Sequence, residues 1–424
     1  MSGRGMEEAR RRDGGDPLAR FRGRFHIPPG TLYMDGNSLG LASEDALASL
    51  ERAAASWRDL GIRGWLEAKP DWFTYGERLG AKMAPLVGAF PDEVVLVGST
   101  TANLHSLAAT FYRPQGTRRR ILADELNFPS DLYALASQVR LHGGDPERDL
   151  ILARSADGRT LDEEALIALM DDTVALAVFP SVLYRSGQLL DLRRLAEAAH
   201  RRGIVIGFDC AHSAGAVPHR LHDDDADFAF WCTYKHLNGG PGSPAGLFLH
   251  RRHFGREPGL AGWFGTVKER QFDLAVDFEH QPSAGGWQMG TPCILSAAAL
   301  DGALDLFAEA GMESVRAKSL ELTGFLLDQA EARLTPLGFR AGTPREPERR
   351  GGHVALEHPE GWRICCALKA RGIVPDFRPP QVVRLAPVAL YTTFEEVERT
   401  VAALEQIVQN REYEAFSAAR AAVS

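Results

Sequence analysis

VALAVFP (174–180), IVIGFD (204–209), ADFAFW (226–231) and AGLFLH (245–250) are four apolar runs of strand length. A strand reads as an almost unbroken apolar run when both of its faces are covered. Between the first two, DLRRLAEAAHRRG (191–203) spaces its apolar residues as a helix does. The same rhythm runs upstream. EVVLV (93–97) precedes a helical TANLHSLAATFY (101–112), IL (121–122) leads into SDLYALASQVRLH (130–142), and LILA (150–153) follows. Strands alternating with helices predict an α/β fold with a mostly parallel sheet covered on both faces. Such sheets take their ligands in the crevice beyond the carboxyl ends of the strands.

After residue 295 the pattern changes. A helix over about 296–334 is followed by the short strands HVALEH (353–358) and VVRLAP (382–387) and two more helices. A chain of 424 residues suits two cores. The predicted division is a flexible tail (1–15), an N-terminal segment packing with the small domain (16–50), a large domain (51–295) and a smaller α+β domain (296–424). The polar, Pro/Gly-rich GTPREPERRGG (342–352) reads as a mobile loop. A net charge of -8 argues against nucleic acid as a partner. The five cysteines have neither zinc nor disulfide spacing, which fits a reducing cytosol. Residues 1–15 lack the apolar stretch of a signal peptide, and no run is long enough to span a membrane. The 13 histidines show no HExxH-type metal pattern, and no GxGxxG or P-loop is present.

Asp209 ends the run IVIGFD, where a carboxylate points into the crevice; an aspartate opening a turn is the plainer reading. Lys235 lies just beyond ADFAFW, in WCTYKHLNGGPG (231–242). The glycines behind it permit close backbone approach, though most lysines are surface groups. Thr100 and Thr101 open a helix in GSTTAN (98–103), which serves equally as a phosphate site or an ordinary N-cap. Phe128 in NFPSD, with Asp131 beside it, is a candidate stacking aromatic or a core residue. Arg384 sits in the apolar strand VVRLAP and needs an anion, either a substrate carboxylate or an internal acid. Cys365 and Cys366 fall on an amphipathic helix and read as core residues. Pyridoxal-phosphate (PLP) chemistry asks for a lysine, a carboxylate for the pyridine nitrogen, a ring-stacking group, a phosphate cup and a carboxylate anchor. The residues above offer a candidate for each.

The segments YMDGNSLG (33–40), STTANLH (99–105), NFPSDLY (127–133), DCAHSAGAVP (209–218), YKHLNGGPG (234–242), LAGWFG (260–265), MGTPCIL (289–295) and RLAPVALYTTFEEV (384–397) together resemble the kynureninases, within the class V aminotransferases of PLP fold-type I. The resemblance runs from about Tyr33 to Val397. It implies a seven-stranded large-domain sheet, PLP as cofactor, and hydrolytic Cβ–Cγ cleavage of L-kynurenine to anthranilate and L-alanine, in tryptophan catabolism or NAD synthesis. Lys235 would carry the cofactor. Thr100, Thr101, Phe128, Asp131, Asp209, His212 and Tyr234 would hold it. Trp263 and Thr291 would complete the phosphate cup from the other subunit of a homodimer. Arg384 would bind the substrate carboxylate, Trp65 and Thr291 would border its aromatic end, and Asn37 and Ser38 would line the site. Lys235 would remove the Cα proton and Tyr234 would relay protons during cleavage.

This sequence departs from the family in two places. Thr266 stands where a histidine often follows GWFG. A hydroxyl contact expected near FPSV (179–182) falls on Pro180 or Ser181, and Ser181 is the candidate. Trp65 and Thr291 match the bacterial pattern, which implies a preference for unsubstituted L-kynurenine over 3-hydroxykynurenine. Two other readings stand beside this one. A cysteine desulfurase would need a nucleophilic cysteine on a mobile loop, and a non-catalytic PLP-binding relative would not need Lys235, Asp209 and Arg384 together.

Overall fold

The computed structural model describes residues 2–419. Seven strands form the large sheet: β1 (Val94–Val97), β2 (Arg120–Asp124), β3 (Leu150–Ala153), β4 (Val174–Pro180), β5 (Val205–Asp209), β6 (Phe228–Trp231) and β7 (Ala245–Leu249). Their order is β1-β7-β6-β5-β4-β2-β3. β3, β2, β4, β5 and β6 run parallel, and β7 is antiparallel to both β6 and β1. Every residue of β4, β6 and β7 is buried, as their unbroken apolar runs require. Gly207 in β5 has a local reason. A Cβ there would lie 1.9 Å from the ring of Phe228, so only glycine lets that ring cross its neighbour strand.

A second sheet contains β8 (Arg340–Ala341), β9 (Val354–Glu357), β10 (Asp376–Arg378) and β11 (Val382–Leu385) in the order β10-β11-β9-β8. The helices Met312–Arg333, Gly361–Ala370 and Phe394–Gln409 accompany it around a separate apolar core. Cys365 is buried in the second of these helices, and Cys366 is half-buried. The single helix expected over 296–334 is two, Ile294–Ala310 and Met312–Arg333. Gly311 separates them at φ 76°, a left-handed conformation that ends a helix readily. Ile294–Ala310 packs on Glu44–Leu60 so closely that a Cβ on Gly302 would meet the Asp45 carbonyl oxygen at 2.0 Å.

The stretch after residue 15 lies along the second unit. Leu32–Tyr33 pairs in parallel with Ile373–Val374, and Ala386 N–H donates to the Met34 carbonyl at 2.7 Å. Two expectations need correction. Residues 2–14 are a helix, not a frayed tail. Ala9 is fully buried, and Arg12 lies over the rings of Phe325 and Phe394 at 5.3 and 5.6 Å. The Asp13 carboxylate accepts from Phe394 N–H at 2.7 Å and Glu395 N–H at 2.9 Å, capping the helix Phe394–Gln409. The sequence hides this because one alanine and charged residues do the docking, which leaves no apolar period to detect.

The 342–352 loop is likewise fixed in place. Thr343 Oγ1 donates to the Ser186 carbonyl at 2.5 Å and accepts from Ala355 N–H at 2.8 Å. Arg350 is buried against Thr323, and Gly351 N–H reaches the Gly187 carbonyl. Its polar residues are therefore the seam between the two sheets. Among the described residues no helix is long and apolar enough to cross a membrane.

The cap across the chain's ends is testable. Asp13→Ala is expected to lower unfolding free energy by about 1 kcal/mol, the usual effect of losing a helix N-cap. Urea unfolding monitored by circular dichroism reads it; an unchanged midpoint would mean that the contact contributes nothing.

Candidate active site

Asp209 is the last residue of β5, and Phe230 of β6 pairs with it. Lys235 follows β6 by four residues, so both side chains emerge at the same end of adjacent strands. They meet in a cavity of about 240 Å³. Lys235 Nζ lies 2.9 Å from His212 Nε2 and 6.0 Å from the centre of the Phe128 ring. Thr100 and Thr101 reach this cavity from the start of the helix Thr100–Phe111, which offers its free N–H groups there. Thr101 Oγ1 is 2.5 Å from Ser130 Oγ.

The lysine loop is held from behind. Asn238 adopts φ 56°, and Gly239 N–H closes onto the Thr233 carbonyl at 2.9 Å. Gly40 N–H donates to the Tyr234 carbonyl at 2.8 Å. A Cβ on Gly40 would stand 2.5 Å from the Lys235 carbonyl oxygen, so DGNSLG clamps the backbone that carries the lysine.

Burial governs the electrostatics. It raises the Asp209 carboxyl; the Lys235 cation and the Ala211 N–H, which donates to Oδ1 at 2.8 Å, pull the other way. Burial and the neighbouring Asp209 carboxylate raise Asp131 well above the ordinary range. Of these two buried carboxyls, Asp131 is the one pushed harder toward its neutral form. Burial and the adjacent Lys235 charge keep His212 neutral, so Lys235 donates to its Nε2. Burial also pushes His236 down to about 3 and, with the charge on Arg384, keeps His353 neutral. The Tyr234 phenol is pushed up to about 12 by burial and then by neighbouring Cys232.

Thus Ser38, Thr100, Thr101, Phe128, Asp131, Asp209, His212, Tyr234 and Lys235 share one cavity. The other candidates do not line it. Ser181 Oγ donates to the Asp209 carbonyl at 3.1 Å and lies 2.6 Å from Ser213 Oγ, so it braces the end of β5 from behind. Asn37 is fully buried just outside the cavity wall. Arg384 is fully buried, with Nη2 2.7 Å from Asp376 Oδ2 and 3.0 Å from Ser38 Oγ, and Nη1 donating to the Tyr184 carbonyl. Its partner in this state is the internal acid.

Trp65, Trp263 and Thr291 lie away from the cavity. The ring of Phe264 is 6.0 Å from that of Trp65 and 5.7 Å from that of Trp263. Gly262 presses against Met289, next to the exposed Thr291 loop. Residues that pattern reading passed over include Tyr184, Ser130, Asp376 and Arg378, three of which line the cavity. Asp376 and Arg378 lie in DFRPP, where two prolines mask a three-residue strand.

A further cluster, Glu93, His222 and His250, brings three ligand-type atoms within 4.8 Å. The two imidazoles stack at 10° with centroids 4.6 Å apart. Their in-plane lone pairs therefore run side by side and do not converge on one ion. Glu93 already accepts from His222 and from the Arg251 and Phe90 N–H groups.

Comparison with known proteins gives this geometry its context. The class-V aminotransferase model matches residues 33–356, and the kynureninase C-terminal domain model matches 315–404. A kynureninase from Geobacillus thermodenitrificans is 53% identical over 419 residues, covering 99% of this chain and 98% of its own. The chain belongs to the kynureninase family. Kynureninases from Shouchella clausii and Bacillus cereus are 53% and 52% identical, covering 99% and 96% of this chain and 98% and 96% of their own lengths. Among solved structures, an apo cysteine desulfurase from Thermococcus onnurineus superposes with a TM-score of 0.79 at 18% identity, over 92% of this chain and 98% of its own. A C-DES variant with glycine covalently linked to its PLP cofactor gives 0.78 at 18%, over 91% and 98%. These structures share the class V fold with this kynureninase-family chain.

The clamp on the lysine loop predicts that Gly40→Ala destabilises the fold by about 1–3 kcal/mol, because the new methyl meets backbone. Thermal unfolding measures it, and a wild-type Tm would show that the loop yields without cost.

Proposed function

We propose that this protein is a PLP-dependent kynureninase that hydrolyses L-kynurenine to anthranilate and L-alanine, with Lys235 carrying the cofactor. The observation that carries the reading is the meeting of Lys235, Asp209 and Asp131 in one cavity, on a chain with kynureninase relatives along its whole length.

The residues present fit PLP. Asp131 Oδ2 is buried without a hydrogen-bond partner among the described residues, beside an Asp209 carboxylate that is itself out of water. A protonated pyridine nitrogen answers both. Phe128 offers a ring face, and Thr100 and Thr101 offer hydroxyls at a helix start for the phosphate. His212 and Tyr234 complete the cavity wall around Lys235. Bound there, PLP supplies an electron sink for cleavage at Cα–H and Cβ–Cγ.

The chain's own groups do the rest. Asp209 would hold the proton on the pyridine nitrogen, with Asp131 beside it. The Lys235 amine, once released, takes the Cα proton. The Tyr234 phenol stays protonated at neutral pH because burial raises it to about 12, so it can donate to the substrate's carbonyl oxygen. Ser38 and Arg384 orient the α-carboxylate. Ser181 acts only through the end of β5.

Trp263 and Thr291 reach the phosphate, and Trp65 and Thr291 the substrate ring, from a second subunit. This accounts for their distance from the cavity of their own chain. It also accounts for an apolar surface around them: Trp263 is 46% exposed, Phe272 69%, and Val276 fully. The Trp65 ring face stacks an aniline ring but offers no acceptor to the O–H of a ring hydroxyl, whose unpaired burial would cost on the order of 1–3 kcal/mol. Unsubstituted L-kynurenine is therefore preferred over 3-hydroxykynurenine. The five free cysteines suit the cytosol.

Anthranilate fluorescence with the two substrates is the test. Wild-type enzyme should release anthranilate, with the higher kcat/KM for L-kynurenine, and Lys235→Ala should release none. Borohydride reduction should fix the cofactor on the Lys235 peptide; attachment elsewhere would refute the assignment. Sedimentation should find a dimer at assay concentrations, and an active monomer would remove the shared-site arrangement.

A further inference from the structure

Within the kynureninase reading, on which this step rests, we propose that Arg378 is a second cationic anchor for the substrate's α-carboxylate, shared with Arg384 and set in place by Asp376. β10 and β11 are antiparallel with Asp376 opposite Arg384, and Asp376 and Arg378 project from the same face of β10. Asp376 Oδ2 lies 2.7 Å from Arg384 Nη2 and 2.7 Å from Arg378 Nε. One carboxylate oxygen thus orients two guanidinium groups. The neighbouring Asp35 carboxyl is raised to about 6 by burial and by the charge on Asp376, which still leaves it ionised at neutral pH. With the two guanidiniums answered by two carboxylates, the anchor rests on which arginine has donors to spare.

The two arginines are not equivalent. Arg384 is fully buried, and both of its Nη atoms already have partners in Tyr184, Ser38 and Asp376. Arg378 lines the cavity with 29% of its side chain exposed. Among the described residues only its Nε is hydrogen-bonded within the protein, which leaves the Nη fork without a protein partner and free to bind an anion. A carboxylate has two oxygens. One can lie toward Ser38 and Arg384 and the other on the Arg378 fork, which together set the direction from which Cα approaches Lys235. The anion suited to this arrangement is the carboxylate of an α-amino acid, because the same cavity of about 240 Å³ contains the amine of Lys235. An amine lacking the carboxylate would gain nothing from Arg378.

The test compares wild-type, Arg378→Gln and Arg378→Lys holoenzymes. Arg378→Gln should raise KM for L-kynurenine by about tenfold or more while kcat stays within about threefold, the signature of lost ground-state binding. Arg378→Lys should recover part of the loss. Kynuramine, the substrate analogue without its carboxylate, should inhibit all three enzymes equally. An unmoved KM would overturn the proposal, and so would a parallel weakening of kynuramine. Calorimetric titration with L-alanine should show the same loss of affinity in Arg378→Gln; equal affinities would overturn it. If wild-type enzyme releases no anthranilate, the kynureninase reading is what fails, and the L-alanine titration still decides the role of Arg378.

Discussion

A carboxylate removed from water has to be answered by protons, dipoles or cations, and the architecture turns on how Asp209 is answered. It ends β5 in the middle of a seven-stranded sheet, where bulk solvent does not reach. The Ala211 N–H donates to it, and Asp131 and Lys235 share its cavity. Each comes from a different segment: the turn after β5, the helix after β2 and the loop after β6. The parallel strand order β6-β5-β4-β2 brings these segments to one end of the sheet. A buried charge left unpaired would cost several kcal/mol, so the fold and the site are held by the same contacts.

A second buried charge sits at the seam between the two sheets. Arg384 belongs to β11, yet it reaches Ser38 in the N-terminal segment and the Tyr184 carbonyl beyond β4. Asp376 holds it from within its own sheet. The seam is sewn further by Thr343, Arg350 and Gly351, and Gly40 ties the N-terminal segment to the lysine loop. Substrate recognition and the union of the two units therefore draw on overlapping residues. The 342–352 loop is polar because its partners are backbone carbonyls and hydroxyls of the other unit.

Pattern reading succeeded where interactions are local or repetitive. β3 and β4 match LILA and VALAVFP residue for residue, IL (121–122) lengthens to Arg120–Asp124, and the other runs are trimmed by one or two residues at their ends. Strand ends then pointed to Asp209 and Lys235. It failed at the N-terminus, where docking relies on Ala9 and Asp13, and at Gly311, where one glycine in a long helical pattern is a break. The sequence did not indicate that the Ser181 hydroxyl faces the Asp209 carbonyl and Ser213.

The order of apolar runs, the helical spacing between them and the strand-end positions of Asp209 and Lys235 were determined by the sequence alone. These follow from backbone geometry and burial, which act over a few residues at a time. Other features needed the tertiary structure: the partner of Arg384, the arrival of Arg378 at the cavity, the meeting of Asp131 and Asp209 in one cavity, and the placement of Trp65, Trp263 and Thr291 away from the cavity of their own chain. Each depends on bringing together groups far apart along the chain or on an alternative partner being nearer. A charged side chain takes the closest counter-charge in space, and spacing along the chain does not say which one that is.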